Sequence, residues 1–184
     1  MAARSIVVRK AALVDAPGIA HVHVEAWRET YAPLVDEEFA NSFGERDRLA
    51  QWMRAFSDAS PSDIFVADAG GEVVGFASAG PIAHKVANYA GELFTIYVLR
   101  AFHGNGVGRR LVRAAAARML ERLMHSMVAI VLPQNQAARR FYERLGATPL
   151  ENILVVEEGR ELTHVIYGWP DLRALAAQTT KRPE

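Results

Sequence analysis

The stretch from Glu92 to Leu111 most constrains what this chain can fold into: a β-rich run, a short turn, three glycines at alternate positions, then an arginine-bearing helix. Leu93 to Val98 are apolar on both faces apart from Thr95, which predicts a central strand covered on both sides. Gly104, Gly106 and Gly108 remove Cβ atoms where the backbone must turn sharply and let an anion approach. The helix that follows aims its unpaired N–H groups and the positive end of its dipole at that turn, which suits a phosphate.

Other glycine-rich loops fit less well. A P-loop requires Lys followed by Ser or Thr after its last glycine, whereas Arg109 and Arg110 follow Gly108. A dinucleotide-binding turn spaces its glycines at the first, third and sixth positions, with an acidic residue about 20 residues on. Here the spacing is strictly alternate, and Glu121 falls inside the helix. A turn without a ligand accounts for one such glycine better than for three.

Composition narrows the class further. The 184 residues suit one domain spanning 1–184 with a sizeable core, with flexible ends expected at about 1–4 and 179–184. A formal net charge of zero argues against a nucleic-acid-binding surface. The absence of cysteine excludes a disulfide framework, a zinc–thiolate site and a cysteine nucleophile. No apolar run approaches the ~18 residues of a membrane span, and the N-terminus leads straight into a strand-like run, so a cytoplasmic, non-membrane protein is expected. His21 and His23 are two positions apart and point to different faces, so they make no metal pair, and no metal is expected.

In chain order, Ser5 to Arg9 reads as a strand, and Asp15 opens a helix running to about Tyr31 with Pro17 in an early turn. Two helical segments follow, Asp36 to Phe43 and Glu45 to Phe56. Ile64 to Ala69 and Glu72 to Ala79 form a hairpin across Gly70-Gly71. A helix from Val107 to about Met124 leads to an apolar strand, Met127 to Leu132. Asn135 begins a helix with Ala138, Phe141, Tyr142 and Leu145 along one face, stopped by Gly146. Closing strands at about Ile153 to Glu157 and Glu161 to Gly168, then a short helix from Asp171 to Gln178, complete a single α/β domain with a mixed sheet flanked by helices.

Two sets of residues resemble the GNAT superfamily of N-acetyltransferases. The family's acetyl-CoA loop follows a strand ending in Tyr-Val or similar, matched by Tyr97-Val98 and then His103-Gly104-Asn105-Gly106-Val107-Gly108. A second family motif is matched by Asn135, Ala138, Phe141, Tyr142 and Gly146, and the run His21 to Tyr31 looks like the first helix of many bacterial members. His103 departs from the family's usual Arg or Gln; a neutral histidine has one ring donor, so phosphate binding should be modestly weaker, with the backbone amides still sufficient.

The resemblance implies the GNAT fold, acetyl-CoA as cosubstrate and the following roles. The coenzyme pyrophosphate would rest on the amides from about Gly104 to Arg109. The pantetheine arm would lie between the strand of Ile96, Tyr97 and Val98 and the strand at Met127 to Leu132, held by the backbone of Ile96 and Val98 and the side chain of Asn135. Asn135 serves equally well as a helix cap, and both roles stay open. Acyl transfer to an amine then sets two proton problems. An amine of pKa about 10.4 must lose a proton, at about 4 kcal/mol near neutral pH. A thiolate must also leave, and Tyr142 matches the family's general acid, against the alternative of a core tyrosine.

Glu92 is the expected base acting through water, against the alternative of a solvent-facing strand residue; at a reference pKa of about 4.3 direct abstraction would be feeble. No cysteine and no Ser-His-Asp motif support a covalent acyl-enzyme. Trp27, Tyr31 and His84, with Tyr89, are the candidate acceptor contacts, against the alternative of core packing. The implied acceptor is a small-molecule amine or a protein amino group, and the resemblance also raises pairing of two copies through the closing strands. A non-catalytic acyl-CoA-binding or sensing module is the alternative function.

Overall fold

Seven strands form one sheet in the order β1-β2-β3-β4-β5-β7-β6, and every neighbouring pair is antiparallel except β4 and β5, which run parallel. The strands are β1 (Val7–Lys10), β2 (Asp63–Asp68), β3 (Val73–Pro81), β4 (Gly91–Val98), β5 (Met127–Val131), β6 (Thr148–Glu157) and β7 (Arg160–Trp169). The helices are α1 (Ala16–Tyr31), α2 (Glu45–Ser57), α3 (Val107–Glu121), α4 (Gln136–Arg144) and α5 (Arg173–Ala177). The computed structural model describes residues 5–31, 44–57, 62–83, 86–157 and 160–177. The helix expected over Asp36 to Phe43, His84, and the ends expected to be flexible at about 1–4 and 179–184 lie outside the described residues.

Two apolar cores sandwich the sheet. On one face, α3 presents Leu111, Ala115 and Met119 at one-turn spacing and buries them with Ala77, Leu93, Met127 and Ala129. On the other face, Ile19 and Val22 of α1 and Trp52 of α2 pack on Val66 and Phe76. Mixed α/β architecture follows from this layering, as expected. The closing strands are longer than their apolar runs suggest, because β6 pairs with β7 from Thr148 onward and tolerates an irregular register between Pro149 and Asn152.

One irregularity positions everything functional. Ser78 lies opposite Thr95 and Ala79 opposite Leu93, so Phe94 is an extra residue in β4, a β-bulge. Pairing of β4 with β5 stops at Leu93 opposite Ala129, just before the bulge. Beyond it the strands part. The expectation of a strand covered on both sides therefore holds only as far as Leu93; Phe94 is 36% exposed and Thr95 to Val98 are half-buried, because this part of β4 borders a gap.

Candidate active site

The parted strands open into a cleft of about 1120 Å³, bounded by α1 and α2 at one end and the N-termini of α3 and α4 at the other. At the α3 end, Gly104 and Gly106 have φ of 79° and 70°, the left-handed region that glycine enters without strain. Arg110 is the first residue whose N–H reaches back to the Gly106 carbonyl, at 3.1 Å, so the amides of Val107, Gly108 and Arg109 stay outside the helical ladder. Gly108 serves a different purpose: a Cβ there would lie 3.2 Å from the Phe141 ring, so its bareness lets α4 approach α3. His103, Gly104, Gly106, Val107, Gly108 and Arg109 line the cleft, and exposed Asn105 does not. Arg110 turns away and donates to the Ile6 carbonyl at 2.6 Å, tying α3 to the segment just before β1.

Along β4, the Leu99 N–H donates to the Val74 carbonyl at 3.0 Å. Alternation then directs the backbone groups of Tyr97 toward β3 and those of Ile96 and Val98 toward the gap. The His103 ring donates from Nε2 to the Val98 carbonyl at 2.8 Å, so this histidine closes the turn onto the strand rather than extending as a phosphate arm. Asn135 caps α4: its Oδ1 accepts from the Ala138 N–H at 3.1 Å, which leaves the amide nitrogen as the half that faces the cleft. Both roles left open for Asn135 are thus compatible.

Tyr142 lines the cleft from α4, 6% exposed, with its ring between Phe141, Tyr167 and Trp169 at centroid distances of 5.6 to 6.0 Å. Burial, with a smaller contribution from Tyr31, pushes its hydroxyl well above the ordinary tyrosine range, so it stays protonated as a donor. Among the described residues no group hydrogen-bonds to that hydroxyl, whereas the neighbouring Tyr167 hydroxyl donates to Glu143 at 2.8 Å.

The α1 end holds Trp27 and Tyr31, their rings stacked at 4.2 Å, with the Arg48 guanidinium 5.8 Å over Trp27. It also holds His23, Gln51 and His164, which the sequence reading did not place in a site. His164 is 3% exposed and donates from Nδ1 to the Leu162 carbonyl at 3.1 Å. Glu92 stands behind the wall: its carboxylate is 4% exposed, accepts from the Ala83 N–H at 3.0 Å and does not line the cleft. Tyr89 packs its phenol over Gly168 instead of entering the cleft. Among the described residues no cluster of His, Asp and Glu is arranged to hold a metal ion, and no helix is long and apolar enough to cross a membrane.

Residues 21–147 match the acetyltransferase (GNAT) family. YuaI of Bacillus subtilis (strain 168), an uncharacterized N-acetyltransferase, is 36% identical over 92% of this chain and 96% of its own. An L-methionine sulfoximine/L-methionine sulfone acetyltransferase of Pseudomonas paraeruginosa (strain DSM 24068 / PA7) is 27% identical over 76% of this chain and 78% of its own. YncA of Salmonella typhimurium, solved with its cofactor acetyl-CoA, superposes with a TM-score of 0.67 at 24% identity over 98% of each chain. The chain belongs to the acetyltransferase (GNAT) family, and its fold is that of the family's solved members. It is an acetyltransferase.

Proposed function

We propose that this acetyltransferase moves an acetyl group from acetyl-CoA directly to a primary amine, on a small molecule or an exposed amino group. The observation that carries this reading is the gap between β4 and β5, which joins the free amides at the α3 N-terminus to the Tyr142 hydroxyl within one cleft. The acetyl-CoA seen in the YncA structure, and the amino-acid derivative in the name of the Pseudomonas relative, agree with it.

The residues divide the work by position. Gly104 to Arg109 would hold the pyrophosphate with backbone amides and the helix dipole. Ile96 and Val98 would pair with the pantetheine amides as an added strand does, and the Asn135 amide nitrogen would donate from the far side. When the amine nitrogen attacks the thioester carbonyl, a C–N bond forms and the C–S bond breaks. Tyr142, kept neutral by burial, would protonate the leaving sulfur. The amine's proton would leave through water, with Glu92 as its receiver behind the cleft wall. Trp27 and Tyr31 would flank the acceptor, and His84 is carried as a third contact from the sequence alone.

Thermal unfolding of the purified protein with acetyl-CoA, free CoA and NAD tests the cosubstrate first. A rise with both coenzyme A species and none with NAD is expected, since a ligand at about 100 times its Kd adds about 2.7 kcal/mol. No rise with either would refute the loop assignment. Thiol release across an amine panel tests the transfer, and binding without turnover on any amine would establish the sensing-module alternative.

A further inference from the structure

His23 carries no role in the chemistry described above, yet it is a buried polar side chain at the acceptor end. It is 4% exposed and packed among the rings of Trp52, Phe76 and Tyr97, at centroid distances of 5.8, 5.5 and 5.0 Å. The Trp52 indole nitrogen, which can only donate, gives its hydrogen to His23 Nδ1 at 3.1 Å. Nδ1 therefore carries a lone pair, and the ring proton sits on Nε2. Burial, and secondarily the charge of Arg48, hold the ring's pKa down at about 3, so it stays neutral. His23 lines the cleft, and among the described residues nothing accepts from Nε2. That donor is locked in one tautomer and opens on the cleft, where water serves it until a ligand's acceptor atom takes the water's place.

Its neighbours indicate what arrives. Arg48, itself buried, donates to the Gln51 side-chain carbonyl at 2.8 Å, so that oxygen is turned toward Arg48. Glu29, the only carboxylate among the described lining residues, accepts from the Arg100 N–H at 3.1 Å on the coenzyme-side shoulder. This end thus offers aromatic walls and, in His23, a fixed donor, while its one described lining carboxylate, Glu29, already accepts from the Arg100 N–H.

Building on the acetyltransferase reading, we propose that the acceptor is an amine carrying an oxo oxygen, a carboxylate or an amide carbonyl, that accepts from His23 Nε2–H. His23 is then a specificity residue that favours amino-acid-like or peptide-like amines over plain alkylamines and polyamines.

The test compares L-leucine, L-leucinamide and isoamylamine, which share a side chain and differ in the oxo group, on wild type, His23→Asn and His23→Gln. Asparagine keeps an acceptor for Trp52, but its amide N–H groups fall short of the Nε2 position; the longer glutamine restores a donor near it. Amine pKa alone favours leucinamide on any enzyme, so the quantity read is the change in preference for the oxo-bearing amines between proteins. That preference should fall about tenfold in His23→Asn, the effect of one hydrogen bond, and recover in His23→Gln with KM for acetyl-CoA unchanged. The two amides differ in reach, so a free carboxylate and a terminal carbonyl are told apart by whether L-leucine or L-leucinamide loses more. An unchanged preference in His23→Asn overturns the proposal.

A second measurement needs no turnover and no variant. In histidine-15N-labelled wild type with CoA bound, the His23 Nε2–H resonance should shift with L-leucine or L-leucinamide and not with isoamylamine. A resonance indifferent to both oxo-bearing amines, or a protonated Nδ1, overturns the proposal. A selective shift without turnover on any of the three supports the His23 assignment and counts against the transferase reading instead.

Discussion

Leu93 faces Ala129 across the last rung that joins β4 to β5, and one residue later the Phe94 bulge carries β4 away from its partner. The parallel ladder thus ends in the middle of the sheet, where two strands would otherwise continue to satisfy each other. Ile96 and Val98 are left with backbone groups directed into a cleft, which is an edge within a sheet. If the pantetheine arm occupies it, binding of CoA should slow amide exchange at Ile96 and Val98 by tenfold or more. Tyr97, bonded to β3, should change little. Hydrogen exchange with and without CoA measures both, and equal slowing at all three positions would contradict an added-strand mode.

Replacement of Tyr142 by phenylalanine removes one hydroxyl from a ring that stays packed against Phe141, Tyr167 and Trp169. Since nothing among the described residues bonds to that hydroxyl, stability should hold within about 0.5 kcal/mol. If Tyr142 acts as the general acid proposed above, its loss should lower kcat by about 10² or more while the coenzyme thermal shift persists. Full retention of kcat would remove Tyr142 from the mechanism.

The glycine turn permits a comparison of two glycines with positive φ. Gly106 and Gly146 both have positive φ, 70° and 89°, and a Cβ at either would meet no atom within 4 Å. Alanine at each should therefore destabilise by a similar backbone increment, about 1 kcal/mol. Only Gly106→Ala should also weaken CoA binding, because Gly106 borders the cleft and Gly146 does not. Isothermal titration of both variants checks this.

His23 makes stability depend on pH in a calculable direction. Its folded pKa, about 3, lies below the unfolded value of about 6.5, so below that point the unfolded chain takes up a proton that the folded ring refuses. The stability present above pH 6.5 is lost as pH falls toward 3. Between pH 7 and pH 5 the loss from this group alone should be about 2 kcal/mol. Urea unfolding of wild type and His23→Asn at both pH values isolates it: the variant should lose less on acidification by about that amount.

Asp63, 7% exposed at the start of β2, gathers Lys10 from β1 and Arg118 and Arg122 from α3 and its end, at 2.9 to 3.2 Å. Burial pushes its carboxyl up, but hydrogen bonds from Lys10, Arg122 and Arg118 outweigh it and hold the carboxyl below the usual range. A depressed carboxylate stabilises above its unfolded pKa of about 3.9, and that contribution fades as pH falls through the folded value. Asp63→Asn should cost about 1–2 kcal/mol at pH 7, because its cationic partners are partly solvated. The difference from wild type should narrow as pH approaches 3, as thermal unfolding at both pH values will show.

What the sequence determined by itself is whatever a few adjacent residues can dictate. Alternate glycines before a helix specify a turn with positive φ and open amides, and they do so at Gly104 and Gly106. Asn135 and Gly146 bracket α4, so Tyr142 falls on that helix's buried face with no long-range contact needed to place it. Other features were decided by residues far apart in the chain. The bulge at Phe94 depends on the register between β3 and β4, and the end of the β4–β5 ladder on how two non-adjacent strands diverge. Trp52 selects the tautomer of His23 from 29 residues away, Ala83 holds Glu92 outside the cleft lining, and Ile6 draws Arg110 away from the cleft. Each is a directional hydrogen bond whose partner only the folded chain supplies, so local periodicity carries no trace of it.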